Sequence, residues 1–510
     1  MYIPLLILSG LWALLNLVLV LFLLFFERGA VYHRITWILI LIFLPVAGTV
    51  LFVMFGGRFF TKPPKLQKIM NLIAGDLKQM TDAQDSFLQS RQASLPYPLL
   101  REYYHFIQMN LHRNNSFLVT SDSAAIQISG AEHFAALEAD LEGAQASIHM
   151  QYFIFHNDKT GGKIMEILCR KAASGLEVKL IFDDFGSIRT PHSFFNRLVK
   201  AGGEVLPFFP VRWRMPFFIN FRNHRKIAVI DGQIGYLGGN NIGDEYANQA
   251  AKPRFYWRDT QLRLTGASVA VLRTLFLVDW YGIAEWKNRL PPSAKKRTVS
   301  NYPTQLTAAG RTLLNAGKRS FGQLQNGGAI PTQIIYSAPD DVNRDKIKNA
   351  FVKMISAAKK YVYIQTPYFM PDEVFATALK IAAYSGVDVR VMIPGTWDKS
   401  YVKAASSGFV RDMLREGVRF FHYPGFIHAK SITVDDGISS IGTVNIDSRS
   451  FHLHFEVSAL LYDKSIAQQN RTIFLSDQKE CAEARQDWYD SRNPFVKAWW
   501  GFCKLFSPFM

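Results

Sequence analysis

Cysteine is scarce in this chain, with three in 510 residues, at positions 169, 481 and 503. Their scatter excludes a disulfide framework and a cysteine-based metal site, and it suits a reducing compartment. Acidic residues are also short, 41 against 58 Lys and Arg, which leaves a net charge of +17. None of the carboxylate clusters that hold a hard divalent cation is evident. A basic chain seeks polyanions, and nucleic acid and anionic lipid both qualify. No compact Lys/Arg-rich stripe rises above the background.

Charge is missing altogether from residues 2–26, YIPLLILSGLWALLNLVLVLFLLFF. That run is long enough to span a bilayer, and a second, ITWILILIFLPVAGTVLFVMF, follows at 35–55. A cleaved signal peptide would be shorter, with a basic start and a small-residue cleavage site. Two spans joined by a short loop place both ends on one side. Arg58, Lys62, Lys65 and Lys68 follow the second span, against Arg28 and Arg34 in the loop. The remainder of the chain is therefore expected in the cytoplasm. Residues 64–80 then carry Leu66, Ile69, Met70, Ile73 and Leu77 at helical spacing. This is either an interfacial helix lying on the membrane or a helix packed on a core.

What is there is a repeat. In NHRKIAVIDGQIGYLGGNN (223–241), His224, Lys226, Asp231, Gly238 and Asn241 sit at offsets 0, 2, 7, 14 and 17. In IHAKSITVDDGISSIGTVN (427–445), His428, Lys430, Asp435, Gly442 and Asn445 sit at the same offsets, 204 positions later. Alternation before each Asp-containing turn predicts a strand with His and Lys on one face. Around these copies, HMQYFIF (149–155) answers YIQTPYF (363–369), and GLEVKLIFDD (175–184) answers GVDVRVMIPG (386–395). Strand-like and helix-like runs alternate in both, as βαβ units do. The pattern predicts two similar α/β halves related by a pseudo-two-fold axis, with both histidine strands meeting at the interface.

The doubled H-x-K-x4-D-x6-G-x2-N resembles the motif of the phospholipase D superfamily. GGNNIGDEY (238–246) and GTVNIDSRSF (442–451) are similar, more particularly, to the bacterial cardiolipin synthase branch, as is the N-terminal hairpin. The likeness covers most of residues 120–465 and implies a phosphodiester-transferring enzyme without metal or cofactor. By that resemblance His224 is the nucleophile and His428 the general acid and base. Lys226, Lys430, Asn241 and Asn445 would supply charge and donors to the phosphate oxygens. One imidazole cannot both attack phosphorus and protonate the opposite oxygen, which is why the motif is needed twice. Asp259 in YWRD and Glu456 in HFE are the matching positions for the acids that orient the imidazoles. Asp231 and Asp435 complete the catalytic motifs, yet each opens a turn and is expected to hold its loop.

The resemblance implies phosphatidylglycerol as both donor and acceptor, an anionic bilayer surface as partner, and no nucleic acid. A membrane-anchored phospholipase D releasing phosphatidic acid is the alternative, and a phospholipase D-like nuclease a more distant one. The D-G-x2-A-R motif of the metal-dependent alcohol phosphatidyltransferases is absent. A scaffold with a dead site does not fit two intact motifs. Val205 to His224 takes nine residues more than Val418 to His428, and the excess falls within LPFFPVRWRMPFFINFR (206–222). Phe208, Phe209, Trp213, Phe217 and Phe218 are expected to dip into the membrane interface there, with Arg212 and Arg214 on lipid phosphates. Packing of this loop on the core is the plain alternative. The layout expected is a transmembrane hairpin (1–60), an amphipathic linker (61–115), two catalytic halves (116–300 and 301–489) and an aromatic, basic tail (490–510).

Overall fold

The computed structural model describes residues 2–26, 31–55, 69–91, 94–210, 221–286, 302–339 and 345–507. Arg28, Arg58, Lys62, Lys65, Leu66 and Lys68 lie outside these residues, as do Arg212, Trp213, Arg214, Phe217 and Phe218.

The apolar runs of the repeat become strands buried on both faces. The first ten are β1 (Leu118–Ser121), β2 (Ser123–Gln127), β3 (Ser147–Tyr152), β4 (Glu177–Asp183), β5 (Glu204–Phe208), β6 (Arg222–Asn223), β7 (Ile227–Ile230), β8 (Ile234–Gly238), β9 (Trp257–Arg258) and β10 (Gln261–Thr265). The second half adds β11 (Ile330–Ser337), β12 (Tyr361–Gln365), β13 (Phe369–Met370), β14 (Asp388–Pro394), β15 (Arg419–Tyr423) and β16 (Phe426–Ile427). It continues with β17 (Ser431–Val434), β18 (Ile438–Gly442), β19 (Ile446–Asp447), β20 (His454–Leu461) and β21 (Ala482–Glu483).

The first sheet runs β2-β10-β8-β7-β3-β4-β5, and the second β1-β11-β20-β18-β17-β12-β14-β15-β21. Without its two end strands, the second order repeats the first strand for strand. In each sheet three parallel strands (β3-β4-β5 and β12-β14-β15) adjoin an antiparallel set that begins with the strand after the histidine. The parallel strands are joined by helices, as parallel pairing requires. These are Lys159–Ala173 and His192–Lys200 in the first half, and Glu373–Tyr384 and Ser400–Leu414 in the second. Asp158 and Asp372 cap the first helix of each pair by accepting from Gly161 N and Phe375 N, worth about 1 kcal/mol each. β1 falls at the start of the expected first half (116–300) yet pairs with β11 of the second sheet.

The two sheets meet face to face. Ile227, Val229, Leu237, Leu262 and Leu264 of the first pack with Ile441, Val457, Ala459 and Leu461 of the second. Of the two readings left open for residues 64–80, packing on the core describes Ile69 and Ile73. Both are buried beside Phe276 and Trp280 of the helix Ser268–Trp286 and Leu306 of the helix Tyr302–Asn326.

α1 (Tyr2–Phe25) is one continuous helix, and Ile7–Phe25 within it is long and apolar enough to cross a membrane. The expected second span, 35–55, is divided instead. α2 (Val31–Phe43) ends just before Pro45, where α3 (Pro45–Phe55) begins, because proline has no N–H to continue the ladder. The Pro45 carbonyl accepts from Trp12 Nε1 (3.0 Å), Asn16 Nδ2 (3.1 Å) and Thr49 Oγ1 (2.8 Å). Polar groups of α1 and α3 are thereby satisfied at the break.

Candidate active site

The short strand leading into each histidine pairs with the opposite half. β6 runs parallel to the start of β20, with Phe455 opposite Asn223, and His224 N donates to Phe455 O at 3.0 Å. β9 runs parallel to β16, with Ile427 opposite Arg258, and His428 N donates to Arg258 O at 2.6 Å. One residue further along each pair, a histidine stands beside a carboxylate from the other half. His224 Nδ1 lies 2.9 Å from Glu456 Oε1 and 3.1 Å from Oε2, and His428 Nδ1 lies 2.7 Å from Asp259 Oδ2. The acid that follows each motif in sequence thus serves the other motif's imidazole. A ring held by Nδ1–H to a carboxylate keeps Nε2 unprotonated and available.

Both lysines turn back onto their own histidines. Lys226 Nζ donates to His224 O at 2.7 Å, and Lys430 Nζ donates to His428 O. Lys226, Lys430, Asn241 and Asn445 are all buried. Asn241 Oδ1 accepts from Ile154 N at 3.1 Å, which fixes its amide. Asn445 Oδ1 is buried with no hydrogen-bond partner among the described residues, a polar group a substrate hydroxyl can satisfy. The motif glycines permit this crowding, since a Cβ on Gly238 would come within 2.5 Å of the Thr260 carbonyl oxygen. Gly442 faces Val457 just as closely.

Electrostatics follow from burying four basic groups together. Burial, with Lys226 and Lys430 next in effect, lowers the His224 imidazole well below the usual histidine range. Burial and Lys430 bring His428 down to about 4. Burial likewise lowers the Lys226 ammonium to about 7 and that of Lys430 to about 8. Burial alone would raise the Asp259 carboxyl, but His428 and Lys430 hold it below its ordinary value. Both carboxylates are committed to the imidazoles. An anion between the two lysines would stabilise every protonated form around it.

Asp231 and Asp435 are not in this pocket. Each lies at the far end of its strand in a left-handed turn conformation (φ 54° and 52°), about 20 Å along the chain from its histidine at strand spacing. Asp231 accepts from the backbone N–H of Gln145, Ala146 and Ser147, and Asp435 from those of Lys359, Lys360 and Tyr361. Both are pegs that tie the loop before β3 or β12, and they leave the catalytic set.

Phe208 and Phe209 leave the membrane-loop set for a similar reason. Phe208 ends β5 opposite Asp183, and both rings are buried against Phe455. The local pairing of β5 with β4 overrides their aromatic character.

The alternating pattern gave no warning of a third imidazole. His454 opens β20 with its ring centroid 5.6 Å from that of His224, and Arg449 Nε donates to its Nε2 at 3.3 Å. Burial holds it at about 3 and therefore neutral. Its neighbourhood to Glu456, two residues on, was the available signal. Among the described residues His224, His454 and Glu456 have donor atoms within 4.8 Å of one another and could ligate a metal ion. The donor set is suitable, but the cations Lys226 and Lys430 lie beside it and favour an anion.

An arginine backs each orienting acid. Arg225 Nε donates to Glu456 O at 3.2 Å and pairs with Asp279, which Gln151 also reaches at 2.6 Å. Arg258 Nη1 donates to Asp259 O and Nη2 to Asp477 at 2.6 Å, with Gln365 on the same carboxylate at 2.8 Å. The Trp257 ring lies 4.8 Å from that of His428, and its Nε1 donates to Asp259 Oδ2 at 3.3 Å.

Comparison with known proteins agrees with this architecture. Residues 137–251 and 351–478 match the family model described as cardiolipin synthase, PLD-like domain. A cardiolipin synthase of Listeria monocytogenes serotype 4a is 37% identical over 488 residues, 95% of each chain. Cardiolipin synthase 2 of Staphylococcus epidermidis is 36% identical over 504 residues, 98% of this chain and 96% of that one. Among solved structures, a phosphatidylserine synthase of Haemophilus influenzae shares the fold with a TM-score of 0.58 at 14% identity. It covers 80% of this chain and 100% of its own.

Proposed function

The chain belongs to the cardiolipin synthase family, a family of phosphatidyltransferases, and from that premise we propose that it joins two phosphatidylglycerol molecules through a phosphohistidine on His224. The diester docks with its non-bridging oxygens on Lys226, Lys430, Asn241 and Asn445. His224 Nε2 attacks phosphorus, and the P–O bond to glycerol breaks as His428 Nε2 gives its proton to the leaving oxygen. A second phosphatidylglycerol then returns a proton to His428, and its oxygen attacks phosphorus. The P–N bond breaks, its electron pair returns to His224, and cardiolipin leaves.

The observation that carries this reading is the pair of imidazoles, each with Nδ1 held by a buried carboxylate of the opposite half. That arrangement leaves two Nε2 atoms for two different tasks. Docking of an anion between two ammonium groups supplies the charge that lets His428 carry its proton. Lys226 and Lys430 stabilise the extra charge as it develops on the phosphoryl oxygens.

The protein acts as an anchored membrane enzyme in this proposal, with α1 and the broken pair α2–α3 as two passes and the catalytic part in the cytoplasm. The length and apolar character of Ile7–Phe25 support the anchor. The test is to give the purified full chain phosphatidylglycerol alone, with nucleic acid in parallel. Cardiolipin and glycerol should appear in equal amounts, and a denaturing quench at neutral to mildly alkaline pH, where the P–N bond survives, should trap a phosphatidyl adduct on His224. Phosphatidic acid alone would make it a hydrolase, and an adduct on His428 would exchange the two roles.

A further inference from the structure

Beside His428 lies a cleft of 340 Å³ whose two walls come from different halves. Arg254, Phe255 and Tyr256 form one wall, in the segment that leads into β9. Thr396, Tyr423 and Gly425 form the other, at the ends of β14 and β15. The walls are stitched together by Phe426 N donating to Tyr256 O at 2.9 Å, and a Cβ on Gly425 would lie 2.6 Å from that same carbonyl oxygen. Two residues further along the strand is His428, about 7 Å away at strand spacing. Stacked rings mark the path. Phe255 lies 5.0 Å from Phe426, and Phe426 lies 5.9 Å from the imidazole of His428.

The chemistry of the cleft is that of a headgroup site. Arg254 is exposed, with its guanidinium over the Phe255 ring at 5.7 Å, and it has no carboxylate partner among the described residues. Its planar fork suits a phosphodiester. Tyr256 is 53% exposed, and burial pushes the Tyr423 phenol up to about 12, so both offer hydroxyls to a polyol. In the first half, the end of β5 and the residues described after it bury Phe208, Phe209 and Phe221 in one apolar cluster.

In-line displacement decides which substrate the cleft can serve. With His224 on one side of phosphorus, the departing and arriving alcohols both occupy the other side, where His428 stands. An acceptor phosphatidylglycerol carries its own phosphate one three-carbon bridge from the attacking hydroxyl, a spacing comparable with that between His428 and the cleft. We propose that this cleft is the acceptor subsite, with Arg254 on the acceptor's phosphodiester and Tyr256 and Tyr423 on its glycerol. The proposal rests on the reading of the activity given above. When the acceptor is seated, its hydroxyl proton passes to His428 Nε2, its oxygen bonds to phosphorus, and the bond to His224 breaks. When the seat is empty, water takes the phosphatidyl group instead.

The test reads that partition. The full chain and its Arg254→Ala, Tyr256→Ala and Arg254→Lys variants are reconstituted in phosphatidylglycerol vesicles, and cardiolipin and phosphatidic acid are quantified. The cardiolipin to phosphatidic acid ratio should fall about tenfold or more in Arg254→Ala, as expected for one lost charge-assisted hydrogen bond. Phosphatidic acid should rise as cardiolipin falls, and Arg254→Lys should recover part of the ratio. Val374→Ala, at an exposed residue outside the cleft, serves as the control. An unchanged ratio in both alanine variants, or cardiolipin and phosphatidic acid falling in parallel, overturns the subsite while leaving the activity standing. Absence of cardiolipin from the unaltered protein would instead overturn the activity.

Discussion

The two halves agree strand for strand around the phosphate and disagree along the approach to it. Gln151 and Gln365 reach Asp279 and Asp477 in matching places, and each carboxylate anchors an arginine that grips the backbone of an orienting acid. Yet the arginines come from unrelated positions. Arg225 lies inside the first motif, where the second has Ala429, and Arg258 lies beside Asp259. Beyond the third parallel strand the difference widens. The first half inserts an aromatic, arginine-rich segment before its histidine, whereas the second turns within a few residues and leaves a cleft. A symmetric phosphate can be held by symmetric groups. Its two other substituents, a diacylglycerol and an alcohol, are unlike, and the halves differ where these would lie.

The largest expected effect tests the symmetric part. Lys226→Met and Lys430→Met each keep the apolar stem and remove a charged donor, so each should lower turnover on the order of 100-fold. Initial rates of cardiolipin formation check this, with circular dichroism to verify folding. A loss below about tenfold, worth only about 1.4 kcal/mol, would mean the lysines do not face the developing charge.

A smaller effect breaks the symmetry on purpose. Because the carboxylates are crossed, Glu456→Gln in the second half should slow the step of His224 in the first, and the adduct should form late. Asp259→Asn should impair His428, whose proton is needed to expel glycerol and to activate the acceptor. Losses on the order of 10- to 100-fold are usual when the group orienting an imidazole is removed. Rapid-quench measurement of the adduct separates the two variants. Identical time courses would show that the crossing has no functional consequence.

That crossing also marks the limit of what the sequence made legible. Two sets of equal offsets singled out both histidines, both lysines and both asparagines, although His224 to Lys226 and His428 to Lys430 lie just before β7 and β17 rather than on the strand the alternation predicts. The same text named Asp259 and Glu456 but not their partners. Partnership is set by β6 on β20 and β9 on β16, pairings of two residues each that no local pattern announces. His454 was missed because a histidine at a strand start carries no periodic signal. Composition points Phe208 and Phe209 to the membrane, and the pairing of β5 with β4, which composition does not carry, buries them. Pro45 was legible as a helix breaker, and hydropathy averaged it away.

The insertion offers a smaller test. We propose that Arg212, Trp213, Arg214, Phe217 and Phe218 meet the bilayer beside the active-site mouth. Replacing Trp213 and Phe217 together by Ser should lower activity on bilayer phosphatidylglycerol about tenfold more than on a short-chain soluble analogue. Removing one large buried aromatic costs about 1.5–3 kcal/mol of apolar contact, which is enough. Equal losses on both substrates would assign the segment to core packing, like Phe208 and Phe209 before it.

The smallest effect concerns stability and pH. His428 is held at about 4 in the folded protein, by burial first and by Lys430 second, against 6.5 for a free imidazole. Between those values the unfolded chain binds the proton that the folded site refuses. Stability is therefore intact above about 6.5 and is lost as pH falls toward 4, by up to about 3 kcal/mol for this group alone. The first half behaves in the same sense, since His224 is lowered too. Asparagine cannot titrate, so His428→Asn should flatten this acid limb without abolishing it. Urea unfolding of the detergent-solubilised protein at pH 7, 6 and 5 gives the slopes. Inorganic phosphate should also flatten the limb in the unaltered protein, because an anion between Lys226 and Lys430 raises the affinity of both imidazoles for protons. Parallel slopes for variant and parent would show that His428 already carries its proton before substrate arrives, and the charge that the substrate is asked to supply would have to come from Asp259.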